Sequence, residues 1–353
     1  MNYIQRNFSP YKMFMDIADK HVPLHEFKSG TNFENWKNKT LPIIKGTLGD
    51  FPENVPLNQE LIAEWEHDGL KKQRWHIDVS KYISAVCIVN IPSNLKENEK
   101  APAILCCHGH GPDGKEVIMG NDSTPEARAL IKNMNQNFGH QMAQNGFVTF
   151  AIDWIGFGER DDRQKPNWND NIGSRDMCNI LNLHATMLGM TSLSINIAHG
   201  KAAVDFAAKL PFVDKDRMGV MGKSGGGTMA LWMALCDERL KASEIICYSD
   251  LWKCFGIRDA NYCGMQIAPS LYKYVDLPDL QGLLAPKPLL VDIGAYDSCF
   301  KIDSAIACYN KVKTIYNAAG VPDNLELDLH DKGHAWGANK SKEFFTKFLK
   351  KAK

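Results

Sequence analysis

The chain has 353 residues, with 41 Lys and Arg against 41 Asp and Glu, so its formal charge is zero. That balance excludes the basic footprint of a nucleic-acid binder and the polybasic patch of a membrane-surface protein. Hydrophobic residues make up 44% and charged residues 23%, which suits a globular chain with a large core and not a disordered one.

No run approaches the roughly 18 apolar residues that a membrane span needs. The first stretch is broken by Arg6, Pro10, Lys12, Asp16 and Asp19, so no secretory leader is expected. The ten cysteines contain no C-x-x-C pair. Cys87, Cys106, Cys107 and Cys247 sit in apolar runs, where a free thiol behaves as a small hydrophobe. A reduced, cytoplasmic protein is the expectation.

In chain order, residues 1–70 predict a helical extension. Phe33, Trp36, Leu41, Ile43 and Ile44 have the spacing of one amphipathic helix, and residues 57–65 suggest another. Residues 73–79 and 83–91 alternate as in a hairpin. Compact apolar runs follow at 103–107, 147–152, 218–221, 245–248, 289–293 and 325–329, as in strands buried on both faces. Helical segments at 125–145, 193–210, 227–236, 303–319 and 341–351 lie among them. The alternation predicts an α/β fold: a mostly parallel eight-stranded sheet with helices on both faces, over residues 71–353. Two intervals, about 156–191 and 249–287, are too long for plain connections and predict functional loops at the C-terminal edge of the sheet.

The sharpest local signal is Gly222-Lys223-Ser224-Gly225-Gly226, between a strand run and a helix run. G-x-S-x-G in that context is a nucleophile elbow, a turn so tight that it exposes the serine hydroxyl at a helix N-terminus. The phosphate-loop alternative lacks its first glycine. A serine needs a base, and only His330 and His334 follow Ser224. His334 lies in a loop just past the last expected strand, whereas His330 falls at that strand's end. The orienting acid should follow the penultimate strand, which places Asp297 ahead of Asp292, inside the strand, and Asp331, too near His334. An oxyanion needs two backbone N–H donors. Gly225 is one, and the Cys107-His108-Gly109-His110-Gly111 loop supplies the other, through His110 with Gly109 beside it. No third ligand of fitting spacing accompanies His108 and His110, so no metal is expected. After the fourth expected strand comes Asp153-Trp154-Ile155-Gly156-Phe157-Gly158-Glu159-Arg160, whose aromatic residues suit a pocket wall. Arg160 reads equally as an ion-pair partner of Glu159, Asp161 or Asp162.

These motifs together resemble the α/β-hydrolase superfamily, and more narrowly the dienelactone-hydrolase-like and acetyl-xylan-esterase-like serine esterases. The resemblance runs from about Trp75 to the C-terminus. It is carried by H-G-H-G at 108–111, D-W-I-G-F-G-E-R at 153–160, A-V-D-F at 203–206, V-D-K-D-R-M-G-V-M-G-K-S-G-G-G at 213–227, L-A-P-K-P-L-L-V at 284–291, and Gly333-His334. It implies an α/β-hydrolase fold and a Ser224–Asp297–His334 triad, with no cofactor. Dienelactone hydrolases use a cysteine where Ser224 stands, so their reaction is not implied.

The expected activity is hydrolysis of short-acyl carboxylic esters, acetylated sugars included, through an acyl-enzyme. The alternatives are a peptidase or amide hydrolase like the prolyl-oligopeptidase branch, and a non-catalytic binding protein on the same scaffold. Trp154, Phe157, Trp252 and Tyr262 are the candidate substrate walls. The expected partner is a small-molecule ester, without nucleic acid or membrane. The N-terminal helices are free either to cover the pocket or to build a homo-oligomer interface.

Overall fold

The computed structural model describes residues 6–164 and 176–350. One sheet runs through it in the order β1-β2-β3-β5-β4-β6-β7-β8-β9. The strands are β1 Glu60–His67, β2 Leu70–Ser80, β3 Ile83–Pro92, β4 Ala101–Cys107, β5 Val148–Ile152, β6 Val213–Lys223, β7 Leu240–Ile246, β8 Leu289–Gly294 and β9 Leu325–His330. The pairings of β1 with β2, β2 with β3 and β3 with β5 are antiparallel. All the others, from β5 through to β9, are parallel.

The central strands are apolar along their whole length because both faces are covered: β4, β5 and β8 are buried at every residue. On one face, the helices Ser192–Ala207, Gly225–Cys236 and Ile302–Ala318 bring Phe206, Leu231, Trp232 and Ile315 into a core cluster. On the other, Phe138–Gln144 and Ser341–Leu349 supply Phe138, Met142, Phe344 and Phe345 to a second cluster.

The structure corrects the sequence reading in three places. The sheet has nine strands and not eight, because much of the stretch 57–65, read as helix, belongs to the edge strand β1 at Glu60–His67. The expected single helix over 125–145 is two, Pro125–Met134 and Phe138–Gln144, separated where Asn135 turns to φ 51°. A helix at Pro10–Lys20 was not foreseen. The N-terminal segment packs along residues 271–282: Leu24 and His25 donate to the Lys273 and Tyr274 carbonyls at 3.0 and 2.7 Å, and Phe27 N–H donates to Asp279 at 3.0 Å. No described helix is long and apolar enough to cross a membrane, and all ten cysteines are free thiols.

Candidate active site

Ser224 sits between β6 and the helix Gly225–Cys236 with φ 59° and ψ −122°, a conformation that L-residues rarely adopt. Three hydrogen bonds hold it there. Its N–H donates to the Ile246 carbonyl at 2.8 Å, and its own carbonyl accepts from Gly227 at 2.7 Å and Thr228 at 3.2 Å. The flanking glycines are steric necessities. A Cβ on Gly222 would run into the Gly226 carbonyl, and one on Gly226 into the Cys107 carbonyl. Ser224 is left half-buried at the start of a 12-residue helix.

β8 and β9 end side by side, and the loops beyond them are joined: Ala295 N–H donates to the His330 carbonyl at 2.8 Å and Tyr296 N–H to the Lys332 carbonyl at 3.0 Å. This places His334 Nδ1 2.8 Å from Asp297 Oδ2. The other Asp297 oxygen accepts from the Cys299 and Phe300 amides at 2.7 and 3.1 Å. Burial acts to raise the Asp297 carboxyl, but the hydrogen bonds from His334 and the two amides outweigh it and hold it below its ordinary value. The Phe300 ring lies nearly parallel to the His334 ring, with centroids 5.9 Å apart.

The structure contains a second Asp–His pair one step deeper. His330 Nε2 lies 2.9 Å from Asp292 Oδ1, with both side chains buried, and Gly337 N–H donates to the other Asp292 oxygen at 2.9 Å. Burial pushes Asp292 up to about 6. This pair joins the ends of β8 and β9 inside the protein, whereas His334 opens onto a cavity.

That cavity has a volume of 480 Å³, and Ser224, His334, His110, Tyr262, Phe300 and Met134 are among its walls. Asp113, Asp176, Gln136 and Asn261 add polar groups to it. Of the four aromatic residues expected as walls, Tyr262 alone lines it. Trp154 and Trp252 are buried in the core cluster, Trp252 edge-on to Tyr272. Phe157 stands behind the wall, edge-on to His110 at 5.3 Å. Pattern alone does not say which face of a loop an aromatic residue takes. A larger cavity of 630 Å³, between Tyr82, Ile155, Arg160 and His199, contains none of Ser224, Asp297 or His334.

The loop after β4 lies against the elbow. A Cβ on Gly109 would stand 2.7 Å from the Lys223 carbonyl, and one on Gly225 2.9 Å from His110 Nδ1. The amides of Gly225 and His110 therefore belong to one narrow region beside Ser224. His108 is fully buried; its Nε2 accepts from Trp154 N–H at 3.0 Å, so the proton sits on Nδ1, 2.8 Å from the Gly109 carbonyl. It is a structural histidine.

The Asp153–Arg160 segment clamps this loop. Asp153 accepts from the Lys115 amide at 2.7 Å, the Lys115 ammonium at 2.8 Å and the Glu159 amide at 3.1 Å. Burial acts to raise the Asp153 carboxyl, and Lys115 with His108 overrides it. Glu159 pairs with Lys115 and Arg74. Arg160 instead donates to the Asp153 carbonyl at 2.9 Å and to His199 Nδ1 at 3.0 Å.

Sequence reasoning missed Lys223. Its buried ammonium donates to the His334 carbonyl at 3.1 Å, tying the histidine loop to the elbow strand. Burial pulls the Lys223 ammonium down from its ordinary value. A charged residue inside an otherwise apolar elbow was the available signal. Of the two long intervals, 249–287 supplies Phe255, Tyr262 and Cys263 to the cavity, and 156–191 supplies Asp176. The part of the latter interval at 165–175 lies outside the described residues.

Residues 3–345 match the family model described as the Abhydrolase family. YtaP of Bacillus subtilis (strain 168), provisionally named a hydrolase, is 26% identical over 289 residues, which is 81% of this chain and 90% of that protein. Among solved structures, a protein of Bacteroides fragilis NCTC 9343, provisionally named an acetyl xylan esterase, superposes with a TM-score of 0.72 at 18% identity, covering 98% of this chain and 90% of that one. A glucuronoyl esterase from Solibacter usitatus superposes at 0.64 and 15% identity, covering 92% and 97%. At these identities the two superpositions speak to the fold.

Proposed function

Since the chain belongs to the Abhydrolase family, we propose that it is a serine carboxylic ester hydrolase whose triad is Ser224, His334 and Asp297. The observation that carries this reading is one arrangement: a serine at φ 59° on a strand-to-helix turn shares a cavity with a histidine bonded at 2.8 Å to a buried aspartate. Asp297, kept ionised, accepts Nδ1–H and leaves Nε2 of His334 as the base. Ser224 Oγ attacks the ester carbonyl as Nε2 takes its proton. The amides of Gly225 and His110 receive the oxyanion. His334 then returns the proton to the leaving alcohol, and water resolves the acyl-enzyme by the reverse path.

The substrate side is read from the walls. Phe300, Tyr262 and Met134 line the cavity that holds Ser224, and bulky walls of this kind favour a short acyl group over a long one. The carboxylates and amides of Asp113, Asp176, Gln136 and Asn261 suit the hydroxyls of a sugar as leaving group. The names of the similar structures, an acetyl xylan esterase and a glucuronoyl esterase, point the same way.

Acetyl, butyryl, octanoyl and peptidyl substrates compared on one preparation test the reading. We expect kcat/KM for acetyl esters to exceed that for octanoyl esters and peptide amides by at least about tenfold, or ~1.4 kcal/mol in transition-state binding. Equal turnover of octanoyl esters would contradict the closed pocket. Efficient cleavage of a peptide amide would replace esterase with peptidase.

A further inference from the structure

We propose that His110, Cys178 and Cys263 form a binding site for a thiophilic divalent cation of the zinc class on the wall of the active-site cavity, and that its occupation slows turnover. His110 Nε2 lies 2.9 Å from Cys263 Sγ, and the three ligand atoms all fall within 4.8 Å of one another. A tetrahedral zinc ion with its usual bond lengths needs ligand-to-ligand edges of about 3.6 Å between nitrogen and sulfur and about 3.8 Å between two sulfurs. The cluster is thus within about 1 Å of what the ion requires. Two thiolates and an imidazole match the softness of zinc-class ions, and the two thiolate charges balance a divalent cation.

The three residues are far apart in sequence, but the fold joins their supports without any ion. Cys178 is the second residue of the helix Met177–Met187, and its N–H is capped by Asp176 at 3.1 Å. Cys263 precedes the turn Gly264–Gln266; its N–H donates to Gln266 at 3.1 Å, and Gly264 N–H donates to Asn179 of that helix at 2.8 Å. The helix and turn that carry the two sulfurs are therefore held together by hydrogen bonds of their own. Both sulfurs are buried, Cys178 being 1% and Cys263 6% exposed. His110 completes the set from the loop after β4, its ring backed by Phe157.

His110 and Cys263 both line the 480 Å³ cavity, while Cys178 stands behind them. Three protein ligands leave a fourth position for water or a small ligand. Ligation fastens the loop that carries one proposed oxyanion donor to the helix Met177–Met187, and places a cation beside the entering substrate. The inhibition rests on the esterase reading; the binding does not. Two other groups with suitable donors, Cys247 with Asp297 and His334 and Cys247 with Asp292 and His330, are committed to the Asp–His pairs already described.

Cobalt(II), added to the purified chelator-treated full chain, reads the site directly. One equivalent should raise a near-ultraviolet thiolate-to-cobalt charge-transfer band and raise Tm, since a ligand that binds only the folded state stabilises it. Zinc should bleach the band by displacement. Cys178→Ser and Cys263→Ala should each abolish the one-equivalent band. Cys299→Ser, at a cavity cysteine outside the cluster, should keep it. Absence of both band and Tm shift in the wild type would overturn the site, as would a band that survives both cluster variants. In the ester assay, zinc should slow the wild type at least tenfold, and the ratio of rates with and without zinc should return to about one in Cys178→Ser. Zinc that binds without changing turnover would refute the coupling and leave the esterase standing. A protein that binds cobalt as described but hydrolyses no ester would refute the esterase and leave the site standing.

Discussion

Two Asp–His pairs lie where β8 and β9 end, one within the strands and one in the loops beyond them, and only the second opens onto the cavity with Ser224. Asp297 holds His334 at 2.8 Å; Asp292 holds His330 at 2.9 Å in the interior. Removing the residue that orients the base typically costs about 10⁴ in kcat. Asp297→Asn should show a loss of that order, while Asp292→Asn keeps kcat within about tenfold and shows its effect in a lowered Tm. Steady-state kinetics and melting curves on the two variants check this. A crippled Asp292→Asn beside an active Asp297→Asn would exchange their roles. At this scale the sequence was informative where chemistry dictates spacing. The proposed triad, Ser224, His334 and Asp297, was read from a turn motif and from strand ends, and the fold brings Ser224 and His334 to one cavity with Asp297 bonded to His334. Lys223 and the three-residue sulfur–imidazole cluster did not, because partners at positions 110, 178 and 263 meet only through the fold.

Among the elements, the strands that run apolar from end to end were legible and the edge was not. β1 is exposed at seven of its eight residues, so it carries no buried alternation, and its strand state comes from pairing with β2. Residues 57–65 consequently mimicked a helix. The break at Asn135 was signalled only by a polar cluster, Asn133 to Asn137, inside a helical stretch. β7 carries a testable charge. Glu244 is wholly buried, with Oε1 accepting from Trp336 Nε1 at 2.9 Å and Ser341 Oγ at 2.7 Å. Burial, and then the charge of Asp292, pushes its carboxyl up to about 8. The folded state therefore binds this proton more tightly than the unfolded chain. The stabilisation is complete below the ordinary value of 4.5 and is lost as pH rises toward about 8. Relative to Glu244→Gln, the wild type should lose stability as pH rises across that window. Denaturant midpoints of both proteins at pH 5, 6, 7 and 8, roughly, would show it, and parallel pH profiles would contradict it.

At the scale of the whole molecule, the sheet brings distant segments to one edge: the elbow after β6, the acid after β8, the histidine after β9 and the amide loop after β4. Asp153 and Lys115 fix that loop from below, and Lys223 fixes the histidine loop from the elbow. Leu24, His25 and Phe27 lie along residues 273–279, and the helix Pro10–Lys20 meets residues 253–258 through Tyr11 and Asp19, so the N-terminal segment rests on the same insertion that supplies Phe255 and Tyr262 to the cavity. In the proposed mechanism this assembly activates one serine among all those in the chain. Treatment with a fluorophosphonate, followed by intact mass and peptide mapping, tests it most directly. A single adduct should form, mapped to Ser224, with ester turnover lost in proportion and no adduct formed by Ser224→Ala. An adduct mapped to another residue, or undiminished turnover in Ser224→Ala, would contradict it.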